Sequence, residues 1–354
     1  MAKLRLGVIG AGSWTVASHL PNLANHRDEI EFVGVARKGP ELLAKIRDQY
    51  GFQVASEEYR DVIDAGVDIV VVASPTGLHH EHAKAALEAG AHVMCEKPVT
   101  IDPADAWDLV DTAKRVDREL IISFGWNYLP MMKQAKQLME DVGIGQLEHL
   151  AIHMQSATRE LLSNTGAYPG AAPEAVPEEA TWTDPRLSGG GYGQAQLCHA
   201  LGFALWLADA RVESAYALLG TGAFPDAPVE LHDAVALSYE GGAIGTMSGA
   251  SCHVGAYGNK HGLEMRAMGS QGQAAVDLER DWIWLYKPDG TDIRPELPVD
   301  AGLYNCIGPI DALVDAGMGR LERNWSPGEL GARTVEVLDL LYKSARSGQR
   351  ESRV

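Results

Sequence analysis

The sequence predicts an α/β Rossmann domain with a doubly wound parallel sheet, followed by an α+β domain built on a large, open, mostly antiparallel sheet. Three observations carry this. From Leu4 to Phe124, short apolar runs alternate with amphipathic stretches, the order that requires a parallel sheet. A Gly10–Ala11–Gly12 turn joins the first apolar run to a helical one. Beyond Gly125, strand-like runs succeed one another without intervening helices, which implies antiparallel pairing. At roughly 100–200 residues per domain, the 354 residues divide into two domains, 1–124 and 125–354.

Residues 4–9 (LRLGVI) read as a buried strand, and the helix after the glycine turn runs to about Asn25. Glu31–Ala36 is the second strand and Leu42–Tyr50 an amphipathic helix. Val67–Ala73 is almost wholly apolar and β-branched, as strands covered on both faces are. His80–Ala89 is helical and ends at Gly90, a C-terminal cap. Ala91–Cys95 and Leu120–Phe124 are strands, and Asp102–Pro103 opens a helix between them. In the second domain a helix, Pro130–Val142, precedes strands at 146–154, 212–219, 232–239, 243–250, 262–267 and 273–278. Residues 163–188 are rich in Pro, Gly, Ala and Glu and read as a long loop. Ser326–Pro327–Gly328–Glu329 has the form of a capping box and opens a last helix ending near Gly348.

Thirty basic against 48 acidic residues leave a net charge of −18. That balance argues against nucleic acid and against an anionic membrane surface as partners. No run of about 18 apolar residues is present, and the first apolar run is broken by Gly10 and Gly12, too early for a signal-peptide core. Cys95, Cys198, Cys252 and Cys306 are scattered without metal-ligand spacing, so no metal is expected. Reduced thiols fit a cytoplasmic protein.

The glycine turn carries the first functional signal. Gly10 permits the tight turn, and Gly12 lets the backbone approach a pyrophosphate at a helix N-terminus. Ser13 and Trp14 follow, and Thr15 replaces the third glycine of the fingerprint. The second strand ends in Arg37–Lys38 where NAD binders usually place an acid. Two readings stay open: a cationic site for the 2′-phosphate of NADP, or NAD with Arg37 against the adenine.

Three motifs in order, GVIGAGSW at 7–14, VVVASPTGLHHEHAKAALEAGAHVMCEKP at 70–98 and GGG…H at 189–199, resemble the glucose-fructose oxidoreductase/inositol dehydrogenase (Gfo/Idh/MocA) family. The resemblance covers nearly the whole chain. It implies hydride transfer between NAD or NADP and a carbinol of a sugar, polyol or glycoside, and a homodimer or homotetramer formed through the C-terminal sheet. Lys97 closes a strand at its carboxyl end, where open α/β sheets bind ligands; the family implies that it hydrogen-bonds the reacting hydroxyl or takes its proton. Glu96 shares that motif. Ser74, Thr76 and His79 match the loop that contacts the nicotinamide ribose, whereas His80 and His82 are expected on the solvent side of their helix. His199 falls at the family's histidine position.

One departure stands out. The family's Asp, four residues before that histidine, is Ala195 here, and no acidic residue lies between Gly191 and His199. Gln194 and Gln196 are the polar residues present. Further candidates for substrate contact are Tyr128, Arg159, Trp182 and Tyr192, the last two as a sugar platform, with Asn259, Lys260 and His261 as a polar loop. Trp126 is expected in the core.

Three functions follow. The first is an NAD(P)-dependent oxidoreductase acting on a secondary hydroxyl, for example C3, of a sugar or glycoside. The second is a redox-neutral NAD-dependent glycoside hydrolase or isomerase, with sulfoquinovosides as one substrate type, in which retained NAD oxidises and then re-reduces. That cycle needs a second base, with His199 or Tyr192 as candidates. The third is a non-catalytic NAD(P)-binding regulator.

Overall fold

The computed structural model describes residues 2–166, 179–252 and 261–353; Asn259, Lys260 and much of the expected loop 163–188 lie outside the described residues. Two compact units emerge. The first contains Met1–Gly125, Gly170–Gly189 and Asn305–Ala332; the second contains Trp126–Pro169, Gly190–Tyr304 and Arg333–Val354. The first unit is therefore assembled from three stretches of chain, which a single cut at residue 124 does not describe.

In the first unit six parallel strands, β1 (Leu4–Ile9), β2 (Ile30–Ala36), β3 (Val54–Ser56), β4 (Ile69–Val72), β5 (His92–Cys95) and β6 (Leu120–Ile122), lie in the order β3-β2-β1-β4-β5-β6. Val70, Val71 and Val72 are fully buried, so the β-branched run is covered on both faces as its composition requires. β3 and the helix Tyr59–Asp64 leave no mark in the sequence, because a three-residue strand is too short to show a period. The helix Ile307–Gly317 also belongs to this unit. The strand order reverses between β1 and β4. In doubly wound sheets, ligands bind at the carboxyl ends of the strands flanking such a reversal.

The second unit is built on a nine-stranded sheet. Its strands are β7 (Leu147–Ser156), β8 (Val212–Gly220), β9 (His232–Tyr239), β10 (Ile244–Ser251), β11 (Gly262–Gly269), β12 (Gly272–Asp277), β13 (Trp282–Tyr286), β14 (Asp292–Ile293) and β15 (Glu351–Ser352). They run β14-β13-β12-β11-β7-β10-β9-β8-β15, all neighbours antiparallel except β7 and β10. Along β7 the alternation buries Leu150, Ile152 and Met154 and leaves His149, Ala151 and His153 half-exposed. On the open face Tyr216, Leu218, Ile244, Met268 and Tyr286 are exposed. The stretch 193–208 is one continuous run, a π-helical turn Gly193–Leu197 passing into the α-helix Cys198–Ala208. Part of the expected loop is also helical: Glu179–Thr183 and Pro185–Ser188 are two short helices.

Candidate active site

At the switch point of the first unit, Gly10 has φ +93°, and a Cβ there would stand 2.2 Å from the Ser74 amide nitrogen. No side chain fits this turn. A Cβ on Gly12 would meet nothing within 4 Å, so the backbone is open on the side where a dinucleotide would approach. Thr15, in place of the third glycine, donates its hydroxyl to the Gly10 carbonyl at 2.9 Å and so closes the turn from within. Ser13 and Trp14 are half-buried beside it, with Trp14 edge-on to His19 at 6.3 Å.

The two cations after β2 differ in their surroundings. Arg37 Nε donates to the Lys38 carbonyl at 2.8 Å. Lys38 is exposed and pairs with Glu58 at 2.9 Å, and Glu57 accepts the Gly39 amide at 2.6 Å. Two acids thus lie beside Lys38 and Gly39.

Glu96 and Lys97 follow β5 at its carboxyl end, and Lys97–Pro98 is a cis peptide. Glu96 Oε1 meets His19 Nε2 at 2.8 Å, and Oε2 accepts the Lys97 amide at 3.1 Å. Burial alone would raise the Glu96 carboxyl, but the hydrogen bond and charge of His19, the charge of Lys97 and the Ser123 hydroxyl outweigh it and hold the group at about 2. An ionised carboxylate only accepts, so His19 Nε2 carries the hydrogen. Cys306 Sγ lies within 4.8 Å of these ligand atoms and contacts Ser123 Oγ at 3.7 Å. Because both Glu96 oxygens are committed, the cluster reads as a hydrogen-bonded anchor for the Lys97 backbone rather than an open metal site. Lys97 itself is half-buried.

The loop after β4 is braced from inside. Ser74 Oγ bonds His82 Nδ1 at 2.8 Å. His82 is buried against Tyr59, not solvent-facing as expected, and burial lowers its pKa to about 4. His79 is also buried, with Nε2 2.6 Å from the Ser74 carbonyl and Nδ1 2.9 Å from the Pro98 carbonyl. Two carbonyls call for two N–H groups, whereas burial lowers the His79 pKa; a neutral ring donates to one of them at a time. His79 therefore ties the Ser74 loop to the Lys97–Pro98 loop and presents no free ring nitrogen to a cofactor, contrary to the sequence reading. Thr76, at the start of the turn Thr76–Leu78, remains half-exposed.

In the second unit His199 belongs to a group of rings. Trp126 is buried, and its indole donates to the Gly302 carbonyl at 3.1 Å. His199 stands edge-on to Trp126 at 5.0 Å and to Tyr304 at 5.2 Å; His261 meets Trp126 at 5.2 Å. Tyr304 went unremarked in the sequence because a lone tyrosine in a loop has no pattern, and only the fold brings it to His199.

Tyr192 is a correction. It is completely buried, its hydroxyl donating to the Met154 carbonyl at 3.3 Å and accepting from Ser156 Oγ at 3.1 Å. Burial drives that hydroxyl well above the usual phenol range. It is neither a sugar platform nor a base. Its proposed companion, Trp182, is half-buried in the first unit. Gln196 is buried on the His199 helix, as is Gln194. Tyr128 is buried, with Lys133 Nζ 5.8 Å from its ring centre. Arg159 is half-buried over Phe224 at 5.6 Å.

Glu230 and Asp233 also escaped notice in the sequence, being isolated acids in and before a strand. Glu230 accepts the amides of Gly191 and Gly193 and the Tyr342 hydroxyl. Asp233 is 3% exposed, and neither carboxyl oxygen has a hydrogen-bond partner among the described residues.

A doubly wound sheet with an open glycine turn at its switch point defines a dinucleotide-binding α/β protein joined to a sheet-based second unit. Its residues 4–124 match the oxidoreductase family with the NAD-binding Rossmann fold, and residues 132–275 match the GFO/IDH/MocA C-terminal domain. The chain belongs to the Gfo/Idh/MocA family. It is 30% identical over 191 residues to the D-glucoside 3-dehydrogenase of Escherichia coli, covering 54% of this chain and 50% of that one. A glycosyl hydrolase family 109 protein of Shewanella amazonensis is 31% identical over 182 residues, 48% of this chain and 36% of that one. The chain spans about half the length, or less, of these curated relatives. The fold is also that of a levoglucosan dehydrogenase solved with NADH and levoglucosan, with a TM-score of 0.77, 20% identity and 99% of each chain covered. Among the described residues no helix is long and apolar enough to cross a membrane.

Proposed function

We propose that this chain is an NAD-dependent oxidoreductase that oxidises a secondary hydroxyl of a sugar or glycoside. The observation that carries the reading is the Glu96–Lys97 pair, anchored at the carboxyl end of β5 in the sheet whose switch point holds the open Gly12 backbone. The Gly10–Gly12 turn, Ser13, Trp14, Thr76 and Arg37 are the residues that would hold the dinucleotide. Glu57 and Glu58 favour NAD over NADP, since a 2′-phosphate would meet two carboxylates. Bound NAD supplies the acceptor for the hydride that leaves the carbinol carbon. Lys97 hydrogen-bonds the substrate hydroxyl, stabilises the developing alkoxide and is a route for its proton. His199, in the second unit, is a residue type suited to proton transfer near neutrality. The exposed apolar residues Leu218 and Ile244 on the open sheet face support a homo-oligomer formed through that face.

A second reading, the redox-neutral glycosidase, is supported by the lack of any carboxylate between Gly191 and His199 and by the resemblance to a glycosyl hydrolase. One experiment separates the readings. The purified protein is analysed for bound nucleotide by mass spectrometry, then incubated with methyl glucosides and levoglucosan, with and without added NAD. Growth of reduced-nicotinamide absorbance with added NAD supports the dehydrogenase. Cleavage without added nucleotide, by a protein that retains NAD through dialysis, supports the redox-neutral cycle. Nucleotide binding with neither outcome across a broad glycoside panel would leave the regulator.

A further inference from the structure

The helical run 193–208 carries His199, and its opening is held in an unusual way. The first amides of a helix have no partner within it. Here four consecutive amides end on two residues from distant parts of the chain. Gly191 N–H donates to Glu230 Oε1 and Oε2 at 3.0 and 2.9 Å. Tyr192 N–H donates to the Glu230 carbonyl at 3.0 Å. Gly193 N–H donates to Glu230 Oε1 at 3.1 Å, and Gln194 N–H to the Tyr342 hydroxyl at 3.2 Å. Tyr342 closes the set by donating to Glu230 Oε1 at 2.6 Å.

The glycines are there because these two residues press against the backbone. A Cβ on Gly190 would lie 2.3 Å from the Tyr342 hydroxyl, and one on Gly191 would lie 2.2 Å from the Glu230 carbonyl. A carboxylate at a helix N-terminus is favourable to the helix dipole. His199 lies six residues past Gly193, about 9 Å along the axis at 1.5 Å per residue.

We propose that Glu230 is the positioning residue of His199: with Tyr342 it fixes the four amides that open the His199 helix, and it supplies there the negative charge that no residue from Gly191 to His199 provides. The proposal rests on the reading of His199 as a proton-handling residue. Asp233 does not share the role. Burial and the Glu230 charge drive its carboxyl well above the usual range. Burial also raises Glu230, against the hydrogen bonds of Tyr342, Gly193 and Gly191. Among the described residues, the titratable groups facing His199 include Tyr304 and, across Trp126, His261, with Cys198 next to it in the chain. Lys136 lies at the far end of the helix, on the Trp206 carbonyl.

The test uses full-length protein with isotopically labelled histidine, the His199 signal being assigned by its loss in His199→Gln. Glu230→Gln keeps the acceptor oxygen and the shape but removes the charge. At fixed pH near neutrality, the charged-to-neutral ratio of the His199 ring, read from its nitrogen shifts, is expected to fall roughly three- to tenfold. That follows from one charge about 12 Å away, the roughly 9 Å along the axis plus the hydrogen bond to Gly193 of about 3 Å, at an effective dielectric of about 20–40. An unchanged ratio overturns the electrostatic role. Should Glu230→Gln fail to fold, Tyr342→Phe provides the second arm, with amide exchange at 191–194 expected to quicken at least tenfold relative to the β1–β6 amides. Unchanged exchange there overturns the positioning role. Neither readout needs turnover, so normal activity in His199→Ala would remove the proton-handling reading while leaving both results interpretable.

Discussion

Glu96 Oε1 and His19 Nε2 stand 2.8 Å apart, joining the carboxyl end of β5 to the helical run behind the glycine turn. The contact ties the segment bearing Lys97 to the segment that would cradle a pyrophosphate. Its energetic sign follows from the Glu96 pKa, held at about 2 against an ordinary 4.5. A carboxyl depressed on folding contributes stability above about 4.5 and loses it as pH falls toward about 2. The difference corresponds to about 3 kcal/mol. Urea unfolding of wild type and Glu96→Gln between pH 7 and pH 3 is expected to show a wild-type advantage that shrinks on acidification. A constant gap across that range would mean that the pair does not depress Glu96.

Lys97→Ala is expected to cut turnover by about 10²-fold or more, the scale of a lost donor to a developing oxyanion, while leaving NAD affinity within a few-fold. The backbone amide at 97 is held by Glu96, so the cofactor site is not expected to collapse. Full activity in the variant would remove Lys97 from the chemistry.

Much of the first unit was legible because its strands are fully buried. Such strands read as unbroken apolar runs, and the glycine turn has a fixed place between strand and helix. The resemblance to the family pointed to Lys97 and His199 as candidates. What it could not supply was direction. Tyr192 follows the glycine run beside His199, yet its ring turns inward to Met154 and Ser156. His79 lies in a family-like loop, yet serves as a brace between two loops. Glu230 and Tyr342 are 112 residues apart, and nothing local marks either one. The glycines they require were visible, but glycine reports that something comes close without naming it.

Cofactor choice is predicted to rest on Glu57 and Glu58. The double variant Glu57→Gln/Glu58→Gln should raise the efficiency with NADP relative to NAD by roughly tenfold or more, since it frees Lys38 and removes repulsion from a 2′-phosphate. Steady-state kinetics with both nucleotides measures the ratio. An unmoved ratio would place the discrimination elsewhere on the nucleotide.

Tyr192→Phe is expected to leave turnover within about twofold and to cost about 1 kcal/mol of stability, the scale of one buried neutral hydrogen bond. A hundredfold loss of turnover at unchanged stability would instead give the hydroxyl a catalytic role despite its burial.

Asp233 gives the opposite pH signature from Glu96. Its folded-state pKa is raised by burial and by the Glu230 charge, whereas in the unfolded chain it is an ordinary carboxyl of about 3.9. Between those two values the folded state holds a proton that the unfolded state has released. Stability from this group is therefore complete below about 3.9 and is lost as pH rises toward the folded-state value, by up to about 1.4 kcal/mol per pH unit. Asp233→Asn keeps a neutral group of the same shape and removes the titration. Unfolding measured from pH 4 to pH 8 should find the variant close to wild type at the acid end and increasingly more stable toward pH 8. A variant that is uniformly less stable would mean that the Asp233 carboxyl is ionised and held by a partner in the folded protein.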